Sequence, residues 1–237
     1  MKTAKSQSTK AVRDKIEIMR GYNLIMSKIY NFLTLYLLST LITKAHKTLL
    51  ETAKPRSHDI LLDVGCGTGT QLIMLRKKLK FNGKICAVDL SKSMLKIAKK
   101  RLNKENNVNL ILADAEHLPF KTKTFTLGTC AGVIRFLPDP EKMFIEVYRV
   151  LNMESVFVLR EFAGTKKAVI EIQHFPLPFQ KRFTVWRIRS DNQIQQLMHR
   201  AGFVDISLFR RGKIPHVPIA MGNLYRTTMF AKGKKLG

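Results

Sequence analysis

The chain has 237 residues, 45% hydrophobic, 25% charged and 8% aromatic, which is enough apolar side chain for one substantial core. This composition excludes a disordered chain, a collagen-like repeat and a mini-protein built on disulfides. Forty-two Lys and Arg against 17 Asp and Glu leave a formal charge of +25, a field that draws in nucleic acid, anionic lipid or phosphorylated substrates without choosing among them.

Cys66, Cys86 and Cys130 lie far apart with no CxxC spacing, so neither a zinc cluster nor a disulfide framework is expected, and the thiols read as reduced residues of a cytoplasmic protein. No His pair has ligand spacing, and no metal is expected. The first twenty residues are basic, with no apolar run behind them of the kind a secretory signal needs. The longest charge-free apolar stretch, Ile29 to Thr43, has 15 residues and falls short of the ~18 to 20 that a spanning helix requires.

In chain order, Ile16 to Lys54 predicts a helix, with Tyr22, Ile25, Met26, Ile29, Phe32, Leu33, Tyr36, Leu37 and Leu41 at spacings of three and four, and Pro55 stopping it. From Asp59 short apolar runs alternate with Lys-rich helical stretches, the signature of a parallel sheet covered on both faces. Strands are predicted at Ile60–Val64, Lys84–Asp89, Val108–Ala113, Phe125–Ala131, Ser155–Glu161 and Val204–Phe209, with Arg226–Ala231 as a final edge strand. Helices are predicted at Thr70–Leu79, Ser93–Leu102, Glu141–Val150 and Asp191–Ala201, the last closed by Gly202. The expected architecture is an α/β, Rossmann-like, seven-stranded and mostly parallel sheet with helices on both faces. Residues 1–56 form an N-terminal helical cap and 57–237 the main domain.

Leu61-Leu62-Asp63-Val64-Gly65-Cys66-Gly67-Thr68-Gly69-Thr70 reads as a strand that ends in a glycine-rich turn and opens a helix. A second strand ends at Asp89, 20 residues after Gly69, an offset that suits a carboxylate accepting from a ribose diol. The turn is G-x-G-x-G, shorter than the dinucleotide fingerprint, and Asp63 precedes it. A carboxylate there suits a positively charged ligand, and S-adenosylmethionine carries a sulfonium and an ammonium but no phosphate. Asp114, at the end of the third strand, can accept from an exocyclic amine such as adenine N6, which completes a nucleoside pocket at the C-terminal edge of the sheet.

These residues, with AVDLSKSML (87–95), ADAEHLPF (113–120), AGVIRFLPDP (131–140), EVYRVL (146–151) and LMHRAGFVDISL (197–208), resemble the class I S-adenosylmethionine-dependent methyltransferases. Within them the chain is similar to the ubiquinone/menaquinone-biosynthesis C-methyltransferase group, which carries a methyltransferase type 11 domain. The resemblance implies that Asp63, Gly65, Cys66, Gly67 and Gly69 surround the methionine part of the cofactor. It also implies that Asp89 holds the ribose with Leu90 and Met94 along the adenosine, and that Asp114 and Ala115 meet the adenine. Cys130 to Arg135 would face the sulfonium and the acceptor, and Tyr22 and Tyr30 resemble aromatic lid residues. One departure stands out: where many relatives have a glycine-containing loop after the RVL helix, this chain reads Asn152-Met153-Glu154.

Methyl transfer requires an acceptor held about 3 Å from the methyl and collinear with the departing sulfur, and a carbon or hydroxyl acceptor also wants a general base. The candidate bases are His117, Glu161, His174 and His216, and Arg135 suits a phenolate, carboxylate or phosphate. Arg135, Glu161 and His174 form the expected catalytic set. The apolar, proline-broken stretch Gln173 to Gln180 reads either as part of an apolar acceptor site or as a core connection.

The favoured acceptor is a small molecule or a lipid-like quinone or phospholipid, with peripheral contact to an anionic membrane, because basic flanks and an apolar helix suit both. The alternative is tRNA or rRNA tracked by Arg76-Lys77-Lys78, Lys99-Lys100-Arg101, Arg210-Arg211 and Lys232, Lys234 and Lys235. An NPPY-like tetrapeptide is absent after the fourth strand, where Cys130-Ala131-Gly132-Val133 stands. A non-catalytic S-adenosylmethionine-binding regulator is the remote alternative.

Overall fold

A computed structural model describes residues 39–137, 139–162, 189–213 and 227–237. Helix α1 (Ser39–Ala53) is the described part of the predicted N-terminal helix. It ends where Lys54 turns left-handed at φ 49, just before Pro55, whose ring disfavours helix in the preceding residue. His46, Leu49, Leu50 and Ala53 are buried along one stripe of α1, the spacing of a single helix face.

The chain then alternates strand and helix through β1 (Ile60–Val64), α2 (Thr70–Leu79), β2 (Lys84–Asp89), α3 (Lys92–Arg101), β3 (Val108–Leu112), β4 (Phe125–Ala131), α4 (Pro140–Val150), β5 (Leu151–Phe162), α5 (Asp191–Arg200), β6 (Val204–Lys213) and β7 (Thr227–Lys234). One sheet of seven strands runs in the order β3-β2-β1-β4-β5-β7-β6. β1 to β5 run parallel to one another, and β7 is antiparallel to both β5 and β6. The last strand is therefore not the edge strand that its position in the sequence suggested. Met229, Phe230 and Ala231 are all buried, so the strand has apolar residues for both faces and belongs inside the sheet, leaving β6 at the edge.

Strand alternation divides the core in two. Leu61, Ile85, Ala87, Leu127, Val158 and Phe230 pack with α1, α2 and α3. Leu62, Val64, Val88, Cys130, Phe157, Leu159, Met229 and Ala231 pack with α4 and α5. The second core holds an aromatic stack in which Phe157 meets Phe203 at 5.6 Å and Phe144 edge-on at 6.1 Å. Ser190 and Gln193 cap α5 reciprocally, and Gly202 closes it at φ 103. Near the start of β5, Glu154 takes the left-handed φ of 60 and pairs with Lys234. Buried Lys235 donates to the carbonyls of Tyr148 (2.8 Å) and Leu151 (2.9 Å) at the end of α4, where a cation suits the helix dipole.

Charge is unequal on the two faces. α3 carries Lys92, Lys96, Lys99, Lys100 and Arg101 and no acid, and α2 adds Lys77 and Lys78 beside Arg76, which pairs with Glu105. On the opposite face Arg200 pairs with Glu141, Arg149 with Glu146 and Arg210 with Asp191. No helix among the described residues is long and apolar enough to cross a membrane.

Truncation of Phe157, fully buried between Phe144 and Phe203, leaves a cavity that the surrounding rings fill only in part. Phe157→Ala is expected to lower unfolding free energy by about 3–5 kcal/mol, measured by urea denaturation followed by circular dichroism.

Candidate functional site

The glycine turn leaves β1 at the carboxyl edge of the sheet. The amides of Gly65 and Cys66 both donate to the Val88 carbonyl, at 2.8 and 3.0 Å, which ties the turn to β2. Gly65 has φ 72, and a Cβ there would stand 2.1 Å from Val133 Cγ2, so only glycine lets this turn lie against the loop after β4. Gly67 has φ 53 but nothing within 4 Å of an added Cβ, so its backbone faces open space that a ligand can enter. Behind the turn, Arg101 donates through one nitrogen to the Thr68 carbonyl and hydroxyl and to the Thr70 hydroxyl, at 2.7, 2.9 and 3.0 Å.

Asp89 ends β2 beside this open backbone. Its two oxygens accept from the amides of Gly67 and Ser91, each at 2.8 Å. Burial raises its carboxyl above the usual range, and those two amides act in the opposite direction. Ser91 caps α3 by accepting from the Met94 amide. Met94 and Cys66 are buried and Leu90 is half-buried, so the three line the same edge. At the end of β3, Asp114 accepts from the Glu116 amide at 3.0 Å, next to buried Ala115.

Under the turn, on the α1–α3 side of the sheet, the structure assembles a buried polar layer. β1 and β4 pair in a register that sets Asp63 beside Thr129. Asp63 Oδ1 accepts from Thr129 Oγ1 and from Gln71 Nε2 of α2, both at 2.8 Å. Gln71 Nε2 also donates to Thr129 Oγ1 at 2.9 Å, and Gln71 Oε1 lies 3.1 Å from His46 Nδ1 of α1. Asp63, Gln71, Thr129 and His46 are 2, 3, 0 and 8% exposed, which leaves each dependent on these partners. Burial raises the Asp63 pKa from 3.8 to about 7, helped by Asp89 and opposed by the Thr129 hydrogen bond. Burial lowers the His46 pKa from 6.5 to about 3, helped by the Arg160 charge and opposed by its bond to Gln71.

Beyond β4 the chain folds back on β5, with the Gly132 amide on the Arg160 carbonyl at 2.8 Å. Arg135, in a single 3-10 turn (Ile134–Phe136), meets Glu161 at 3.0 Å, with the two side chains 8 and 4% exposed. Its Nη2 also donates to the Gly132 carbonyl at 3.2 Å. Two of the three expected catalytic residues thus form one buried pair, and proton abstraction by Glu161 requires that pair to open. Burial pushes the adjacent Cys130 thiol well up, aided by Glu161 and Asp63, so it stays protonated. His117 is exposed. His174, His216, Tyr22, Tyr30 and the stretch 173–180 lie outside the described residues. Among the described residues no group of three or more His, Cys, Asp or Glu is arranged to hold a metal ion.

Sequence reasoning missed His46, Gln71, Thr129 and Arg101. The available signal was polarity inside apolar segments: Gln71 in TQLIML and Thr129 in FTLGTCA. The layer has a signature in stability against pH. The raised Asp63 pKa makes the folded state hold a proton that the unfolded state releases, so its contribution falls as pH rises from about 4 to about 7. The lowered His46 pKa acts oppositely, and its contribution grows as pH rises from about 3 to about 6.5. Asp63→Asn is expected to leave a urea midpoint that rises from pH 4 to pH 6.5, and His46→Asn one that falls, relative to the flatter wild-type profile.

Residues 62–159 match the family described as Methyltransferase domain. Among curated proteins, the chain is 37% identical over 123 residues to the ubiquinone/menaquinone biosynthesis C-methyltransferase UbiE of Rickettsia prowazekii, covering 49% of this chain and 50% of that one. It is 36% identical over 114 residues to the demethylmenaquinone methyltransferase of Lactiplantibacillus plantarum, covering 47% and 48%. The chain thus spans about half the length of the curated relatives it matches. Among solved structures it is similar to phosphoethanolamine N-methyltransferase 2 of Haemonchus contortus in complex with phosphomonomethylethanolamine and S-adenosylhomocysteine. That likeness has a TM-score of 0.64 at 17% identity, over 82% of this chain and 53% of that one. The glycine turn and the strand-end acids therefore lie within the residues that match the methyltransferase-domain family.

Proposed function

We propose that the chain is an S-adenosylmethionine-dependent methyltransferase that transfers its methyl group to carbon of a quinone-like acceptor. The observation that carries the reading is the bare Gly67 backbone, whose amide donates to Asp89, in the turn that follows the strand carrying Asp63. The turn leaves room where side chains would obstruct, and the side chain that its Gly67 amide meets is the carboxyl of Asp89. A ligand with a diol and a cationic end fits these accepting carboxyls. Bound S-adenosylmethionine supplies an electrophilic methyl on a sulfonium.

In this reading Asp89 orients the ribose, Leu90 and Met94 lie along the adenosine, and Asp114 and Ala115 meet the adenine. Gly65, Cys66, Gly67 and Gly69 shape the turn around the methionine part, with Asp63 beneath its cationic end and Cys130 at the floor. Arg135 stands at the acceptor side, where its charge stabilises a phenolate and so makes the ring carbon nucleophilic. Glu161 holds the guanidinium in place, and His174 is proposed to receive the proton released from the methylated carbon. The quinone-like acceptor is supported by the curated relatives, whose names specify ubiquinone and menaquinone biosynthesis and demethylmenaquinone. The lysines of α2 and α3 support peripheral contact with an anionic membrane, where such acceptors dissolve.

With labelled S-adenosylmethionine and separate total lipid and RNA extracts, label is expected in the lipid phase. Label confined to RNA would overturn the acceptor reading. Asp89→Ala is expected to weaken S-adenosylmethionine binding by about 1–3 kcal/mol, the range for leaving hydrogen-bond partners unpaired, with calorimetry as the readout.

A further inference from the structure

We propose that His46 of α1 is a positioning residue for the cofactor site: its Nδ1–H fixes the Gln71 side-chain amide so that the NH2 group faces Asp63. The inference rests on the reading of the site as one for S-adenosylmethionine and names a residue outside the glycine turn and the strand ends that tunes it.

The argument is a count of donors and acceptors. Ionised Asp63 can only accept, and its Oδ1 is met by Gln71 Nε2 and Thr129 Oγ1. The single hydroxyl proton of Thr129 is directed to Asp63, so Thr129 Oγ1 accepts from Gln71 Nε2. Both hydrogens of the Gln71 amide are then used, and its Oε1 points at His46 Nδ1, 3.1 Å away. An amide oxygen there requires a donor, which fixes His46 as the Nδ1–H tautomer.

The reverse arrangement is also complete in itself. With the amide turned over, Oε1 would face Asp63 and Thr129, which demands a proton on Asp63, and the NH2 group would face an unprotonated Nδ1. The tautomer of His46 and the charge of Asp63 are therefore alternatives of one array, and the Nδ1–H form selects the ionised carboxyl that a cationic ligand needs. Packing does not explain the histidine. Leu49, Leu50 and Ala53 supply the apolar stripe of α1, and an imidazole is costly to bury without its hydrogen bond. Among the described residues, the charges that act on the array are Asp89 from β2 and Arg160 from β5.

The test compares the wild-type chain, His46→Leu and His46→Asn by calorimetry with S-adenosylmethionine. The asparagine side chain places an N–H where Nδ1–H stands, and leucine fills the space without a donor. His46→Leu is expected to weaken binding about tenfold, the loss of one buried hydrogen bond, and His46→Asn to stay within about twofold of wild type. Equal affinity of His46→Leu and wild type, or equal loss in both variants, overturns the role of His46. Absence of binding by wild type overturns the cofactor reading instead. A measurement that needs no variant is the 15N spectrum of the His46 ring, where the Nδ1–H tautomer is expected and the Nε2–H tautomer would overturn the proposal.

Discussion

A carboxyl group buried at the carboxyl end of β1 is the constraint around which the site is built. Desolvating Asp63 disfavours its charge by several kcal/mol unless donors replace water, and the chain answers from three elements. Thr129 stands beside it because β1 and β4 pair in that register, Gln71 reaches it from the first turn of α2, and His46 closes the array from α1. Each occupies a position that would otherwise hold an apolar core residue. The glycine turn then passes over this layer, bound below to Val88 and beside to Asp89.

The sheet keeps two kinds of chemistry apart. Asp63 and Asp89 lie where β1 and β2 end, next to an open backbone. Arg135 and Glu161 lie across β4, joined by the loop that folds back to Arg160. In the proposed function the cofactor's cationic end lies at the first region and the acceptor at the second. The charge of the chain divides in a related way. Helices α4 and α5 place their charges in pairs, and α2 and α3 present rows of lysine and arginine. The excess charge is thus in part a property of one face, which composition could not show.

Much of the architecture is legible in the residues because local rules were sufficient for it. α2, β1, β2 and β4 have the boundaries that their hydrophobic pattern predicts, since a buried parallel strand is a short apolar run and its helix has a 3.6-residue stripe. The strands at the other end are longer than predicted: β5 extends back to Leu151 and β6 on to Lys213. There the ladder recruits polar residues such as Asn152, Glu154 and Arg210 that carry no strand signal of their own. β7 was recognised as a strand but not as an interior one, because chain order says nothing about which neighbour a strand pairs with.

The sequence by itself determined the glycine turn and the strand-end acids. Glycines at fixed offsets from a strand, and acids at the ends of the next two, are encoded by local spacing, and local spacing survives folding. Only the tertiary structure decided what surrounds those acids. His46 and Gln71 are 25 residues apart, Gln71 and Thr129 are 58, and Arg135 and Glu161 belong to different elements, so no window of sequence contains any of these pairs. Their juxtaposition depends on strand register and on which face of the sheet each helix covers, and both are settled by burying the two apolar faces of one sheet at once.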